Sequence, residues 1–593
     1  MSIKTTWDLS PLFKSEHDPK IEKNLKATEQ AILKFSHIWK KRSDYLTNVS
    51  VLKKALDEYE RLMRNFGLTG GVENYFWLRL KIDSANSVLK AKSAKISDFE
   101  NKMRNELNFF ELNLATVSKQ NQKLFLKDKT LLPYKHFLEK IFKTAKFNLS
   151  EKEEKIIAMK QSPAHIYWTR LTSELLSKEE PVVEGKKRTF SELFSLLENK
   201  NKKTRDEAAK ELNTIFKKLE DIGEAEINAI LQNKKINDEL RGYKRPDESR
   251  HCVDDIESKT VDALLDAVMS HFNISKRFYA LKAKLLKLKK LEYHERNLSY
   301  GEIDKAYSFS DTVKIISDIL KTVDEEFYQV FQKFLTEGNI DAFPKKGKKD
   351  GAFCAYDLLS TPSYIMLNHT GRIHDVLTLA HEFGHGLNNE LIKKKQNALN
   401  FGTPMSTAET ASTFLESIVL SQLLLNVDDE LRLALLMQKL NDDVSTIFRQ
   451  VACYKFEQEL HEEFRKKGFL KKEDIGKIFQ KHMKSYMGNA VIQSPGAENW
   501  WMYWSHIRYF FYVYSYASGL LISKSLEHSY RKNPEYIKKI KEFLSTGLAL
   551  SPEEIFKKLS INIAQKSFWE NGLQEIDKEL KEAERLAKKL KKI

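Results

Sequence analysis

The sequence has few of the residues that interrupt or cross-link regular structure. Its 593 residues include 12 prolines, 21 glycines and 3 cysteines. Because proline and glycine break helices, their scarcity in a chain rich in Lys, Glu, Leu and Ala favours helix over strand. Hydrophobic residues make up 41% and aromatic residues 11% of the chain. These fractions supply a large core and exclude a collagen-like or globally disordered protein.

We also expect no disulfide framework, signal peptide or membrane span. The cysteines, Cys252, Cys354 and Cys453, lie about a hundred residues apart, which suits neither a disulfide framework nor a metal motif. The first residues, MSIKTTWDLSPLF, lack the apolar stretch of a signal peptide. No apolar run reaches the roughly 18 residues that span a bilayer. We therefore expect a cytoplasmic protein in a reducing compartment, without a membrane partner.

Acidic residues are fewer than basic residues in this chain. The chain has 99 Lys and Arg against 83 Asp and Glu, a net charge of +16. A basic balance can indicate nucleic-acid binding, but the lysines are spread along the chain and no nucleic-acid-binding motif accompanies them. We interpret the surplus as a solvated surface and expect no nucleic-acid partner. Binding to nucleic acid that collapses between low and moderate salt would favour the alternative.

The pattern of apolar residues predicts a mainly α fold with one small sheet. Helical spacing runs from about residue 18 to 177, and the charged segment KEEPVVEGKKR at 178–188 is typical of a linker. We therefore predict an N-terminal helical region at 1–185 and a catalytic region at 186–593. The segments GAFCAY at 351–356 and SYIMLN at 363–368 predict two strands. We expect a free edge of the second strand to pair with an extended peptide.

The chemistry is concentrated in the helical segment DVLTLAHEFGHGLNNEL, which follows the second strand. His381 and His385 are four residues apart, so they share one face of a helix and can reach one metal ion. Glu382 lies about 100° around the helix, where it can reach a water molecule without being a ligand. Two imidazoles and one carboxylate with an open fourth position suit zinc, although manganese and cobalt remain alternatives.

A carboxylate for the third ligand position occurs in the segment STAETASTFLE at 406–416. Glu409 and Glu416 are two helical turns apart among small and apolar residues, where carboxylates are costly to bury without a partner. We predict that Glu409 is a metal ligand. We predict that Glu416 accepts a hydrogen bond from a ligand histidine and orients its ring.

These motifs resemble the thimet oligopeptidase and oligoendopeptidase F family of zinc metallopeptidases, and especially its oligoendopeptidase F branch. The resemblance also includes WDLSPLF, LRGYKRP, SYIMLNHTG and FYVYSYASG, so it extends over nearly the whole chain. It implies one zinc ion per chain held by His381, His385 and Glu409, with Glu382 as general base. It also implies a two-lobed helical body, a deep channel and cleavage of short peptides. One position departs from the pattern, because Asn388 stands where the family often has a further histidine.

An aromatic segment near residue 500 completes the candidate site. It reads GAENWWMYWSHIRYFFYVYSYASG, and the resemblance implies that a histidine and tyrosines of this region bind substrate and stabilise the oxyanion. The candidates are His506, Tyr509, Tyr512 and Tyr514, and Tyr514 is the first choice because it lies in FYVY. An aromatic core segment is the alternative.

The sequence thus predicts a zinc-dependent endopeptidase that hydrolyses short oligopeptides. A metallo-carboxypeptidase or dipeptidase of similar fold remains an alternative, as does an inactive peptide-binding protein. The substrate, the peptide length limit and the oligomeric state do not follow from the sequence.

Overall fold

The chain folds mainly as α-helix, as the sequence predicts. The computed structural model describes residues 3–301, 306–425 and 427–593. It divides into two compact units, each built from separate stretches of chain. Unit 1 comprises Met1–Lys146, Asp304–Leu423 and Leu526–Ile561, and unit 2 comprises Phe147–Ile303, Leu424–Ser525 and Asn562–Ile593. The division at residues 185 and 186 stays a prediction.

Unit 1 contains helices from all three of its stretches and the larger sheet. Its helices are α1 (Lys20–Trp39), α2 (Val49–Asn65), α3 (Val72–Ile82), α4 (Ser87–Ala115), α5 (Lys119–Lys127), α6 (Lys135–Thr144), α14 (Phe309–Val323), α15 (Glu325–Glu337), α16 (Ile373–Lys395), α17 (Thr410–Leu425), α22 (Ile537–Leu544) and α23 (Pro552–Lys558). Its strands are β4 (Ile340–Asp341), β5 (Phe353–Ala355) and β6 (Tyr364–Met366). The two predicted strands are therefore present.

The N-terminal helices of unit 1 form a continuous apolar core. The spacing of Leu52, Leu56 and Tyr59 places their side chains on one face of α2, where they are buried against α1, α4 and α6. Phe35 and Phe110 meet at 5.2 Å between ring centroids in the same cluster. These helices are thus held together by ordinary burial of amphipathic faces.

The sheet of unit 1 has the strand order β4-β6-β5. Strand β6 pairs in parallel with β4 and antiparallel with β5. Because β6 is paired on both sides, the expected free edge at 363–368 is wrong. Strand β5 has a partner on one side only among the described residues, and it lies next to α16.

Unit 2 is also mainly helical. Its helices are α7 (Glu151–Gln161), α8 (Tyr167–Ser177), α9 (Phe190–Leu196), α10 (Lys202–Arg241), α11 (Glu248–Val253), α12 (Ser258–Ser270), α13 (Phe272–Leu285), α18 (Asp429–Asp443), α19 (Arg449–Lys467), α20 (Lys472–Met487), α21 (Tyr514–Lys532, which continues into unit 1) and α24 (Lys566–Lys589). Its strands form two two-stranded sheets, β1 (Val182–Val183) with β2 (Lys186–Lys187) and β3 (Leu291–Glu292) with β7 (Val491–Ile492). None of the helices described in either unit combines the length and apolarity needed to cross a bilayer.

Candidate metal centre and aromatic loop

Helix α16 carries the two histidines of the HEFGH segment. The Asp375 carboxylate accepts hydrogen bonds from the backbone N–H groups of Thr370 and Arg372, which fixes the start of the helix. The apolar face of α16 is buried, with Phe383 and Leu387 fully inaccessible. The side chains of His381 and His385 remain partly exposed on the other face.

A glycine within the same segment allows the carboxylate of Glu409 to come close. A Cβ atom at Gly384 would lie 2.5 Å from the Cα of Ser412 and 2.6 Å from the carbonyl oxygen of Ala411. Only a residue without a side chain therefore permits α16 to touch the first turn of α17. Glu409 immediately precedes that turn, so the contact brings its carboxylate to the two histidines.

His381, His385 and Glu409 converge on one point. Glu409 Oε2 lies 3.3 Å from His381 Nε2 and 3.5 Å from His385 Nε2. Ligand atoms around tetrahedral zinc with bonds of about 2.0–2.1 Å are separated by about 3.3–3.4 Å. The three atoms all lie within 4.8 Å of one another. The residues present therefore fit a tetrahedral metal site.

Glu416 is hydrogen-bonded to the ring of His381, and its role toward a metal ligand stays a prediction. Its Oε2 atom lies 2.9 Å from His381 Nδ1, on the side of the ring opposite Glu409. An ionised carboxylate only accepts hydrogen bonds, so Nδ1 carries the proton and donates it to Glu416. Nε2 would then be the atom that presents a lone pair to a bound metal ion.

The electrostatics of the cluster favour a cation. Burial alone would lower the pKa of His381, but hydrogen bonds to Glu409 and Glu416 raise it to about 10. The pKa of Glu409 is lowered, because the bonds to both histidines outweigh its burial. The field that stabilises a proton between these groups would equally stabilise a divalent ion.

Glu382 is placed differently from the three converging residues. It is 8% exposed. Burial raises its pKa, and the neighbouring histidines oppose the shift. The backbone N–H of Cys354 in β5 also opposes the rise in this pKa. Nothing in the GAFCAY segment marks this amide as a neighbour of the carboxylate.

The aromatic segment lies in unit 2, and the structure separates its tyrosines into different environments. Tyr514 is fully buried, and its hydroxyl donates to Asp254 Oδ2 at 2.7 Å. Asp254 also accepts from Arg250. Because the Tyr514 hydroxyl is already committed to this buried network, its placement argues against the first choice of oxyanion donor.

Tyr512 and His506 form a pair. The Tyr512 hydroxyl is hydrogen-bonded to His506 Nδ1. Burial, followed by the charge of Arg449, lowers the pKa of His506 to about 4, so the ring is neutral at pH 7. Burial and the neighbouring Tyr516 raise the pKa of Tyr512, so its hydroxyl keeps its proton. In the tautomer in which this hydroxyl donates to Nδ1, His506 Nε2 carries the ring proton and is the donor left for another molecule.

Tyr509 is 68% exposed and lies on the outside of the same loop. The loop turns through Phe510 and Phe511, whose φ angles of 53° and 57° are both in the left-handed region. Two successive left-handed residues with bulky side chains are strained and need support from their surroundings.

That support comes from Glu457 in α19, which the sequence analysis did not single out. Its Oε1 atom accepts a hydrogen bond of 3.0 Å from the backbone N–H of Phe511. The side chain is fully buried, and burial raises the pKa of Glu457 to about 8. His461, one turn further along α19, packs against the rings of Phe510 and Phe511. Glu457 and His461 thus hold the turn that precedes Tyr512.

We predict that Glu457→Gln makes the protein more resistant to alkaline pH. The amide oxygen can still accept from Phe511, but the side chain no longer ionises. In the wild type, stability from the protonated carboxyl is present below its unfolded pKa of 4.5 and is lost as pH rises towards 8. The free energy of unfolding of the variant minus that of the wild type should therefore rise between pH 5 and 8, by up to about 1.4 kcal/mol per pH unit.

The measurement is denaturant unfolding of both proteins at pH 5.5 and 7.5. Glu463→Gln is the matched control, because Glu463 lies on the same helix and its pKa is lowered by Lys466 and Lys467. That control should show the same difference from wild type at both pH values. A pH-independent difference for Glu457→Gln would contradict the assignment.

Comparison with known proteins decides the family. The sequence profile of Peptidase family M3 matches residues 195–575, well over half of the chain. The chain belongs to peptidase family M3. A second profile, Oligopeptidase F, matches residues 113–178. The recognised resemblance is therefore confirmed, including the oligoendopeptidase F branch of family M3.

Relatives within this branch align over nearly the full chain. Oligoendopeptidase F (plasmid) of Lactococcus lactis subsp. cremoris is 24% identical and covers 99% of this chain and 98% of its own. Oligopeptidase PepF of Bacillus subtilis (strain 168) is 23% identical and covers 100% of this chain and 88% of its own. The crystal structure of oligoendopeptidase-F from Enterococcus faecium is 20% identical with a TM-score of 0.72, over 96% of this chain and 99% of that one. The M3 chain is thus a metalloendopeptidase with a mainly α fold.

Asn388, the position that departs from the M3 pattern, has a structural role here. Its amide nitrogen donates to the backbone carbonyl of Leu544 at the end of α22, and its amide oxygen accepts from Thr403. Asn388 therefore ties α16 to two later segments of unit 1.

Proposed function

We propose that the chain is a zinc-dependent endopeptidase that hydrolyses peptide bonds in short oligopeptides. His381, His385 and Glu409 would hold one zinc ion, with Glu382 as general base. The convergence of two Nε2 atoms and one carboxylate oxygen at tetrahedral spacing is the observation that carries this proposal. The names of the relatives, oligoendopeptidase and oligopeptidase, support a peptide substrate.

Proton transfer is the role that we assign to Glu382. When bound, zinc would supply Lewis-acid chemistry, polarising a carbonyl group and lowering the pKa of water. Glu382 would accept a proton from the attacking water and return it to the leaving amine. A carboxyl whose pKa is raised by burial suits a group that both accepts and donates a proton.

His506 is our candidate donor to the oxyanion, oriented by Tyr512. Its Nε2–H would be the free donor of a neutral ring, in the tautomer whose Nδ1 accepts from the Tyr512 hydroxyl. Such a donor strengthens as negative charge develops on the substrate oxygen. Tyr509 remains a candidate for contact with substrate because it is exposed beside the pair.

A single metal ion per chain is also part of the proposal. Two other clusters in the described chain have ligand-type spacing, His136–Glu139–Glu554 and Asp206–His294–Glu295. In each, a carboxylate is already engaged: Glu554 caps the start of α23, and Glu295 pairs with Arg205. We propose a cytoplasmic location, which the three free cysteines support.

The test is mass spectrometry of a mixed peptide pool after incubation with the enzyme, with and without a chelator. Peptides blocked at both termini distinguish the alternatives, since an endopeptidase cleaves them and a carboxypeptidase or dipeptidase does not. We expect internal cleavage that a chelator abolishes and zinc restores. Cleavage that proceeds unchanged in chelator would overturn the metal assignment, and cleavage only at free termini would overturn the endopeptidase assignment.

We predict that Tyr512→Phe and Tyr514→Phe affect different quantities. Tyr512→Phe removes the group that orients His506 and should lower kcat with little change in KM. Removal of the donor itself by His506→Ala should cost about 10²–10³-fold in kcat. Tyr514→Phe removes a hydrogen bond to a buried carboxylate, worth about 1.5–3 kcal/mol of stability, and should leave kcat nearly intact.

Steady-state kinetics and thermal unfolding of the three variants check this pair of expectations. Full activity in His506→Ala and Tyr512→Phe with a lowered melting temperature would show that the segment is a packed core. A selective loss of kcat in Tyr514→Phe would restore Tyr514 as the donor.

A further inference from the structure

Two guanidinium groups in unit 2 converge on one phenol. Arg449, in the first turn of α19, donates from Nη2 to the hydroxyl of Tyr503 at 3.3 Å. Arg296 donates from its own Nη2 to the same oxygen, also at 3.3 Å. Arg296 is 3% exposed, whereas Arg449 and Tyr503 are partly exposed. Arg449 is therefore the outer and Arg296 the inner member of the pair.

Neither guanidinium has a carboxylate partner among residues 3–301, 306–425 and 427–593. This is unusual for the unit, since the other deeply buried arginines are paired. Arg205 bonds to Glu295 and Arg508 to Glu226, each at 2.8 Å. Buried charges are normally paired, because an unpaired one loses its hydration without compensation.

Aromatic rings take the place of carboxylates around the two arginines. Arg296 lies over the rings of Tyr293 and Trp500 at 4.3 and 4.9 Å, and Arg449 lies over Trp504 at 4.7 Å. The Nε atoms of both arginines are buried without a hydrogen-bond partner. Ring contacts offset part of the desolvation cost but bring no counter-charge.

The surplus of positive charge is visible in the neighbouring groups. Burial would raise the pKa of Tyr503, but Arg449 and Arg296 lower it below its ordinary value. The cluster therefore carries a positive field that an anion would complete.

Arg449 is also linked to the proposed substrate-binding loop. Its guanidinium stacks on Trp504, whose ring centroid lies 6.1 Å from that of His506. Its charge contributes to the lowered pKa of His506. An anion on Arg449 would thus lie in the same neighbourhood as the residue that we assign to the substrate.

We propose that Arg449, backed by Arg296 and Tyr503, binds a carboxylate group of the peptide substrate. A planar guanidinium binds a carboxylate through two N–H···O bonds, and Arg449 is the partly exposed member of the pair. The inference rests on the proposed peptidase function and adds a preference for acidic groups. The carboxylate can come from the C-terminus of the peptide or from an Asp or Glu side chain.

The experiment compares one peptide in three forms: with a free C-terminal carboxylate, with a C-terminal amide, and as the amide with one Asn changed to Asp. In the wild type, one of the two acidic forms should exceed the neutral amide in kcat/KM by about ten- to a hundred-fold, the effect of a charge-assisted contact. The form that shows the preference identifies the source of the carboxylate.

In Arg449→Met, kcat/KM for the acidic form should fall to that for the amide, so that the ratio between the two forms approaches one. Lys466→Met is the matched control, because it removes one exposed positive charge from the same helix without touching Tyr503. The Lys466→Met variant should keep the preference for the acidic peptide over the amide. Arg449→Lys, which keeps the charge but not the planar fork, should show an intermediate preference if Arg449→Met does not fold.

Each other outcome is decisive. If the wild type cleaves the three forms equally, or if Arg449→Met and Arg449→Lys keep the full preference, the carboxylate site is overturned while the peptidase function stands. If inorganic phosphate binds in an Arg449-dependent way but no acidic form is preferred, the site takes another anion and the proposal is overturned. If no form is cleaved at all, the proposed function fails instead.

Discussion

The Glu382→Gln enzyme is expected to keep its metal and lose nearly all turnover. The amide preserves the shape of the side chain, but it cannot take a proton from water. Loss of a general base lowers kcat by roughly 10²–10⁴-fold. KM should change little, because the proton is transferred only on the way to the transition state.

Metal analysis and kinetics on the same preparation check this expectation. Glu382→Asp is the matched control, because it keeps a carboxylate that can accept a proton on a side chain shorter by one methylene. This variant should retain part of the activity. Near-normal turnover of a fully metal-loaded Glu382→Gln enzyme would remove Glu382 from the role of base.

Glu409→Ala and Glu416→Ala are expected to separate binding of the metal from orientation of a ligand. The first change removes one of three ligands and should empty the site at ordinary metal concentrations. The second leaves the ligand set intact but frees His381 to rotate, and it should weaken metal binding by about 10–100-fold. Because the two carboxylates lie two turns apart, each variant is the control for the other.

Equilibrium metal binding measured with a competing chelator gives both values directly. A full site in Glu409→Ala together with an empty site in Glu416→Ala would reverse the two assignments. An equal loss of metal affinity in both variants would instead indicate that the whole segment 406–416 had shifted.

Local periodicity was sufficient to predict which residues of the HEFGH segment share a face. His381 and His385 are four residues apart on a helix, and helix geometry alone puts them on one face. The sequence suggested that a carboxylate should join the two histidines, but it did not show how Glu409 comes close to them. That approach depends on Gly384 meeting the backbone of Ser412, which no pattern in the sequence reveals.

The sequence was least informative where distant residues decide the outcome. Strand β6 was expected to have a free edge, but its parallel partner is the two-residue strand Ile340–Asp341, too short to show any alternation. The role of Tyr514 stays a prediction, and its bond to Asp254, 260 positions earlier, is a contact that the FYVY segment does not reveal. Glu457 went unnoticed because a buried carboxyl inside a helix has the same local pattern as a solvated one.

The assembly of unit 1 from three stretches of chain has a consequence for biosynthesis. Asn388 on α16 donates to the carbonyl of Leu544. The ribosome adds Leu544 to the chain 156 residues after Asn388. At about 5–20 residues per second, that interval lasts roughly 8–30 s, during which the two histidines and Glu409 have emerged but their scaffold has not. We therefore expect metal loading to follow release of the chain from the ribosome. A nascent chain arrested before residue 526 should fail to retain zinc, although it already contains every proposed ligand.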